Sequence, residues 1–309
     1  MRFVVTGGAG FIGSHLVEHL VHAGHEVTVL DDLSTGKREN LAPWKSSIRF
    51  IEGSITDTVA CARAMDGAQV VLHQAALPSV PRSIADPLGS HAVNATGTLN
   101  VLIAAREARV ERFVYAASSS AYGDTPELPK HEGMVPRPRS PYAAAKLAGE
   151  EYCRAFHASY GLPTIALRYF NVFGPRQDPA SAYAAVVPKF IAAALANSAP
   201  VIFGDGEQTR DFTYVENVVR ANLAACAATE RAFGEAFNIG CGERLSVNAL
   251  WERVRALAGG GAAARHEPPR AGDVRDSLAS LARARERLGW TPTIALDEGL
   301  RRTIAASRA

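Results

Sequence analysis

Tyr142 and Lys146 stand four residues apart behind Ser140-Pro141, a serine cap and first-turn proline that together signal the start of a helix. On a helix that spacing brings both side chains to one face. A phenol is a poor base because its ordinary pKa is about 10. An ammonium on the same face favours the phenolate and draws that pKa toward the working range. Tyr142 can then take a hydroxyl proton while hydride leaves the same carbon. Ser118, the first of Ser118-Ser119-Ser120 at the end of an apolar run, can hydrogen-bond the same oxygen and pass the proton on. Y-x-x-x-K alone occurs on many helices by chance, so its meaning depends on the rest of the chain.

The hydride needs an acceptor, and the N-terminus offers a place for one. A β-branched run from Phe3 breaks into Gly7, Gly10 and Gly13, becomes an amphipathic helix, and returns as Glu26–Leu30 before Asp31 and Asp32. This is a βαβ unit whose glycines let bare N–H groups and a helix N-terminus approach a pyrophosphate. Asp31, about twenty residues past the glycines, is placed to accept from a ribose diol. A 2′-phosphate would meet two carboxylates there, so the cofactor expected is NAD rather than NADP. The spacing is G-x-x-G-x-x-G, and a glycine turn kept only for helix–strand packing is the competing reading. An oxidised nicotinamide would add a second positive charge near Tyr142.

Several elements must position these groups. The polar loop Leu33–Arg38, with Ser34, Thr35 and Gly36, suits the adenosine phosphate, and Ser54 and Ile55, ending a strand over Ile48–Gly53, should flank the adenine. A fourth strand is expected over Val70–Ala76, where Gln74, Ala75 and Ala76 are small or polar enough to lie against a cofactor. A long helix over His91–Ala108, a fifth strand over Arg112–Ala117, a proline-rich surface loop over Pro126–Pro141 and a sixth strand over Thr164–Tyr169 follow. This alternation implies α/β architecture: a Rossmann-type, doubly wound parallel sheet with ligands at the carboxyl ends of its strands. Past Asn171 the pattern loosens into a smaller α/β C-terminal substrate domain. The expected division is 1–171 for NAD and 172–309 for substrate, with 212–240 rejoining the sheet.

With 309 residues there is ample chain for a buried core, and 47% hydrophobic and 21% charged residues are ordinary for an enzyme. A net charge of +2 gives no reason to expect nucleic acid or an anionic membrane as partner. No apolar run approaches the roughly 20 residues of a membrane span. A strand beginning almost at Met1 leaves no room for a cleaved signal, so the cytoplasm is the expected compartment. Cys61, Cys153, Cys226 and Cys241 read as free thiols, and the nine histidines show no metal-binding spacing, so no metal is expected.

Five blocks in order carry a resemblance: Thr6–Gly13, Ser118–Gly123, Tyr142–Lys146, Arg168–Pro175 and Arg210-Asp211-Phe212. The chain resembles an extended short-chain dehydrogenase/reductase, and within it the UDP-sugar 4-epimerases, over essentially its full length. The resemblance implies an enzyme that holds NAD tightly, oxidises a sugar C4 hydroxyl to a ketone, lets the ketone swing about its diphosphate tether, and returns hydride to the other face. It adds Phe11, Ile12, Asn94 and Tyr169, with Tyr142 and Lys146 themselves, to the NAD contacts. Arg210 and Arg270 are implied as diphosphate cations and Asn171 as a donor to the same group. Lys189 joins the substrate contacts, Val187, Val201 and Phe203 wall a uracil pocket, and Asp273 meets the uridine ribose. A homodimer through the helices at His91–Ala108 and Tyr142–Tyr160 is also implied.

Related sugar-nucleotide 4,6-dehydratases carry an Asp-Glu pair just after the position of Ser118, and UDP-glucuronate decarboxylases a glutamate. Ser119 and Ser120 can do neither job, which favours redox without elimination. The run Gly272–Ser277 resembles the branch acting on N-acetylated sugars, where a small residue at Ser277 leaves room for a 2-acetamido group. Ser79, Arg82 and Gln177 become candidate sugar contacts beside Ser119 and Ser120. Pro78 stands where that branch carries glycine, and Ser54 where the resemblance implies an aspartate near the adenine. A UDP-glucuronate 4-epimerase stays open as the alternative, although Asn171 is often threonine there.

Overall fold

The computed structural model describes residues 1–179, 185–269 and 274–308. Seven strands form one sheet: β1 (Arg2–Thr6), β2 (Glu26–Asp31), β3 (Ile48–Glu52), β4 (Val70–His73), β5 (Arg112–Ser118), β6 (Thr164–Tyr169) and β7 (Glu235–Ile239). Their order is β7-β6-β5-β4-β1-β2-β3, and every neighbouring pair is parallel. Parallel pairs need crossovers, and helices on both faces supply them. On one face lie α1 (Phe11–His22) and, from later in the chain, the helix Val215–Ala227, which bury Leu16, Val17, Leu20, Val218 and Ala221. On the other lie α2 (Thr58–Met65), α3 (Thr98–Glu107) and α4 (Pro141–Tyr160), burying Cys61, Ala64, Val101, Leu102, Cys153 and Phe156.

The chain winds from β1 outward through β2 and β3, then crosses back to place β4 on the other side of β1. That reversal opens a crevice at the strand ends between β1 and β4. The β1–α1 turn sits there, and β4 stops at His73, the residue paired with Thr6, rather than running to Ala76. Residues 74–79 thus leave the sheet as backbone lying over the crevice.

The helix expected over His91–Ala108 is helical but not uniform. A π-helical turn, Ala92–Gly97, precedes α3, and a Cβ at Gly97 would come within 2.7 Å of the Ile55 side chain. π turns gather at functional sites. α4 begins as its sequence implies, with Ala143 N–H donating to Ser140 Oγ at 3.1 Å and Pro141 in the first turn.

A third cluster, separate from the two on the sheet, joins α5 (Val186–Leu195), α6 (Val215–Ala227), α7 (Val247–Ala258) and α8 (Leu296–Arg308) through Phe190, Ile191, Val215, Trp251, Val254 and Ile304. A short parallel pair, Val201–Phe203 with Arg265–Glu267, borders it. Among the described residues no helix is long and apolar enough to cross a membrane.

Candidate active site

Tyr142, Ser118 and Lys146 meet at the carboxyl end of β5. The Ser118 side chain lies beside the Tyr142 phenol and favours its ionised form. Ser118 Oγ also accepts from Ser120 N–H at 3.2 Å and from Ser120 Oγ at 2.8 Å, so the serine turn is closed on itself. One helical turn on, buried Lys146 donates from Nζ to Ala116 O at 2.7 Å and lies 4.9 Å from the Tyr115 ring centre.

The electrostatics differ from the simple expectation. Burial pushes the Tyr142 phenol above its ordinary value, and the Ser118 side chain only partly offsets this. Burial also brings Lys146 down to about 7. The protein alone therefore keeps the phenol protonated. The reason is geometric: the amine is spent on the Ala116 carbonyl and Tyr115, and removing both groups from water disfavours both charges.

Beneath the site runs a buried polar chain. His73 Nδ1 lies 2.6 Å from Thr6 Oγ1 and its Nε2 3.0 Å from Thr98 Oγ1, while Thr98 Oγ1 donates to Asn94 O at 2.8 Å. Since Thr98 spends its proton on that carbonyl, His73 must donate from Nε2 and accept at Nδ1. Burial holds His73 down to about 3, hence neutral.

The glycine turn separates packing from ligand access. Gly7 has φ 69°, and a Cβ there would lie 2.6 Å from Ala75 N; one at Gly13 would run into the Gly7 carbonyl. A Cβ on Gly10 would meet only Gly7 O, at 3.2 Å, so its bareness is not required by packing. That leaves a cradle fitted to a pyrophosphate. Phe11 and Ile12 follow it into α1, partly buried against the third cluster. Asp31 at the β2 tip accepts from Ala9 N–H at 2.9 Å and Leu33 N–H at 2.8 Å, while Asp32 is exposed and accepts from Ser34 N–H at 3.0 Å. The loop with Ser34, Thr35 and Gly36 is tied down by Lys37 N–H and Asn40 Nδ2 on Ala9 O, at 3.0 and 2.8 Å. Ser54 turns its hydroxyl to Thr56, 2.9 Å away, and Ile55 is core.

Other residues take different places from those expected. Asn94 is buried with its amide engaged by the Leu77 backbone, accepting from N–H at 2.8 Å and donating to O at 3.0 Å. It holds the 74–79 segment in place. Tyr169 and Gln74 are likewise locked: Asn222 Nδ2 donates to Tyr169 Oη at 2.8 Å, Tyr169 donates to Gln74 Oε1 at 3.2 Å, and Gln74 Nε2 donates to Asn222 Oδ1 at 3.2 Å. The triangle positions Gln74, Ala75 and Ala76. Asn222 was not foreseen, although a polar residue among Val218, Ala221 and Ala225 on a core-facing helix is a legible signal.

Among candidate substrate contacts, Ser79 has φ 105° and caps the short helix Val80–Ala85, accepting from Arg82 N–H at 3.2 Å. Asn171 donates to Asp211 O at 3.0 Å. Arg210 donates from Nη1 to Thr209 O and Arg275 O, at 2.9 and 3.1 Å. Gln177 donates to Val172 O at 3.3 Å, and its buried Oε1 has no hydrogen-bond partner among the described residues. Lys189, Val201 and Phe203 are half-buried, and Ser277 is buried. Val187 is 2% exposed in the third cluster, where α5 turns its apolar side to the core. Arg270 and Asp273 lie outside the described residues.

The family model for NAD dependent epimerases and dehydratases matches residues 3–240. The chain belongs to that family. It is an enzyme, and its cofactor is NAD. The UDP-glucose 4-epimerase of Mycolicibacterium smegmatis is 42% identical over 308 residues, 98% of this chain and 97% of its own. The structure of Thermotoga maritima UDP-glucose 4-epimerase with UDP-glucose superimposes with a TM-score of 0.95 at 40% identity, covering 100% of this chain and 99% of that one. The UDP-N-acetylglucosamine 4-epimerase of Methanobrevibacter ruminantium M1, in complex with UDP-N-acetylmuramic acid, gives 0.94 at 38% identity, with coverages of 99% and 98%.

Proposed function

We propose that this chain is a UDP-hexose 4-epimerase that interconverts UDP-N-acetylglucosamine and UDP-N-acetylgalactosamine, with UDP-glucose and UDP-galactose as a further pair. One observation carries the reading: Ser118 at the end of β5 lies beside the Tyr142 phenol, one helical turn from buried Lys146, with Ser119 and Ser120 rather than an acid–base pair next to them. Bound NAD supplies the two-electron acceptor that oxidises C4 and restores it. Tyr142, bridged by Ser118, takes the C4 hydroxyl proton and gives it back, with Lys146 setting the charge beneath. Arg210, Asn171 and Lys189 grip the diphosphate, for which a guanidinium fork is suited. Ser79, Arg82, Ser119, Ser120 and Gln177 surround a hexose free enough to rotate, and the small Ser277 leaves room for a 2-acetamido group.

In this reading residues 1–171 with 212–240 hold NAD, 172–309 hold the sugar nucleotide, and the enzyme works in the cytoplasm. It works as a homodimer through the α3–α4 face, where Leu88 is 82% exposed and Ile84, Ile103 and Tyr152 are also exposed. Light scattering on the purified protein, with Leu88→Arg as the variant, tests this: a wild-type monomer at micromolar concentration would exclude it. For the activity, purified protein with added NAD is given UDP-GlcNAc, UDP-glucose, UDP-galactose and UDP-glucuronate, and the anomeric proton signals are followed by NMR. Epimerisation of UDP-GlcNAc is expected. Turnover of UDP-glucuronate alone would replace the proposed sugar, and no turnover of any would refute the class.

A further inference from the structure

Asp211 lies between Arg210 and Phe212, is fully buried, and has no part in the chemistry above. Its carboxylate accepts three backbone N–H groups: Cys241 at 2.7 Å on Oδ1, and Gly242 at 3.0 Å and Ala279 at 3.1 Å on Oδ2. A Cβ at Gly240 would come within 2.8 Å of Oδ2, so the turn after β7 is pressed against it. Two donors thus come from that turn and the third from the segment 274–280, remote in sequence.

That segment carries Ser277 and touches the candidate cation. Arg275 O accepts from Arg210 Nη1 and from Thr209 N–H, each at 3.1 Å, and Ser277 N–H donates to Thr209 O at 3.1 Å. Further along, Lys130 N–H donates to Leu278 O at 2.7 Å and Ser280 N–H to Lys130 O at 2.8 Å.

We propose that Asp211 is a positioning residue: as a carboxylate it clasps the 274–280 segment to the end of the sheet, and so sets where Ser277 and Arg210 stand toward the sugar nucleotide. This rests on the reading of the site given above. An ionised carboxylate satisfies all three donors, whereas an amide in its place turns an N–H toward one of them and weakens the clasp. Burial pushes this carboxyl up to about 6 although three N–H groups favour its charge. Facing it are the Glu243 carboxylate, which raises it further, and the Cys241 thiol, itself pushed up to about 12. Arg210, next in the chain, donates to the Thr209 and Arg275 carbonyls. From the sheet side, Asn238 donates to Ser280 O at 3.3 Å and to Lys130 O at 2.8 Å, ties that do not titrate.

The test is steady-state kinetics of the NAD-loaded enzyme and of Asp211→Asn at neutral pH, on the UDP-sugar that NMR shows to be turned over. The amide keeps the shape of the carboxylate but brings N–H against N–H and cannot titrate. For Asp211→Asn, KM should be raised about tenfold at neutral pH while kcat changes less, with bound NAD retained. A wild-type KM in the variant overturns the proposal. Hydrogen exchange of the wild type gives a second readout should the variant fail to fold. At neutral pH the amides of Cys241, Gly242 and Ala279 should be protected as strongly as those of β4–β6; rapid exchange of the three overturns the clasp. If no UDP-sugar is turned over, the proposed function fails and exchange alone decides the clasp.

Discussion

At the scale of single residues, the site's chemistry is a contest between burial and charge. Tyr142 is raised and Lys146 lowered by the same loss of water, so a base is obtained only when positive charge arrives beside the phenol. Tyr142→Phe removes the proton acceptor and leaves the glycine cradle untouched. Turnover should fall by about 10²–10⁴ with bound NAD unchanged, read by NMR rates and by cofactor released on denaturation. Comparable loss of NAD would show that the phenol serves binding instead.

Elements hold these side chains in place, and two of them make distinguishable predictions. In the β1–α1 turn, Gly7→Ala puts a Cβ against the Ala75 backbone at a left-handed φ, so both fold and cofactor should suffer. Gly10→Ala meets only the Gly7 carbonyl, so thermal stability should hold while NAD affinity drops about tenfold, a misfit of 1–3 kcal/mol in order of magnitude. Equal effects of the two on the melting temperature would return the turn to a packing role alone. α4 is anchored two turns beyond Tyr142, where Glu150 accepts from buried Arg168 Nε and Nη2 at 2.8 and 2.6 Å. Arg168 stacks 4.7 Å from the Tyr122 ring centre, linking the helix to the serine turn. Arg168→Met leaves Glu150 charged and unpaired, and urea unfolding should show a loss of about 3–5 kcal/mol. A loss below about 1 kcal/mol would mean that the pair is not what holds the helix.

For the whole molecule, acid stability follows from groups that hold the parts together. His15 on α1 lies 3.0 Å from Pro175 O and 2.8 Å from an Arg176 guanidinium that also pairs with Glu18. Burial lowers it from 6.5 to about 4, and His73 falls to about 3. The unfolded chain therefore binds protons that the folded one refuses, so these two groups remove stability as pH falls from about 6.5 toward 4. Asp211 acts in the opposite sense, since its raised value makes the folded state the better proton acceptor between about 6 and 4. Two histidines outweigh one carboxyl, and the urea midpoint should fall on acidification. His15→Gln should flatten that slope by up to about 1.4 kcal/mol per pH unit. An unaltered slope would show that His15 does not carry the effect.

The alternation of apolar runs, the glycine turn, the Ser140-Pro141 cap and the Tyr142–Lys146 spacing were legible without coordinates. Each depends on neighbours a few residues away, and strand and helix periods are local. Contacts across long separations were decided by the tertiary structure alone. Gln74, Tyr169 and Asn222 close a triangle from three distant elements, Asn94 spends its amide on Leu77, and Val187 turns into the core. Asp211 was visible as a letter between Arg210 and Phe212, but not its grip on Cys241, Gly242 and Ala279. Periodicity states which residue types line a face. Only packing determines which polar atoms find partners, and how far burial moves a proton's equilibrium.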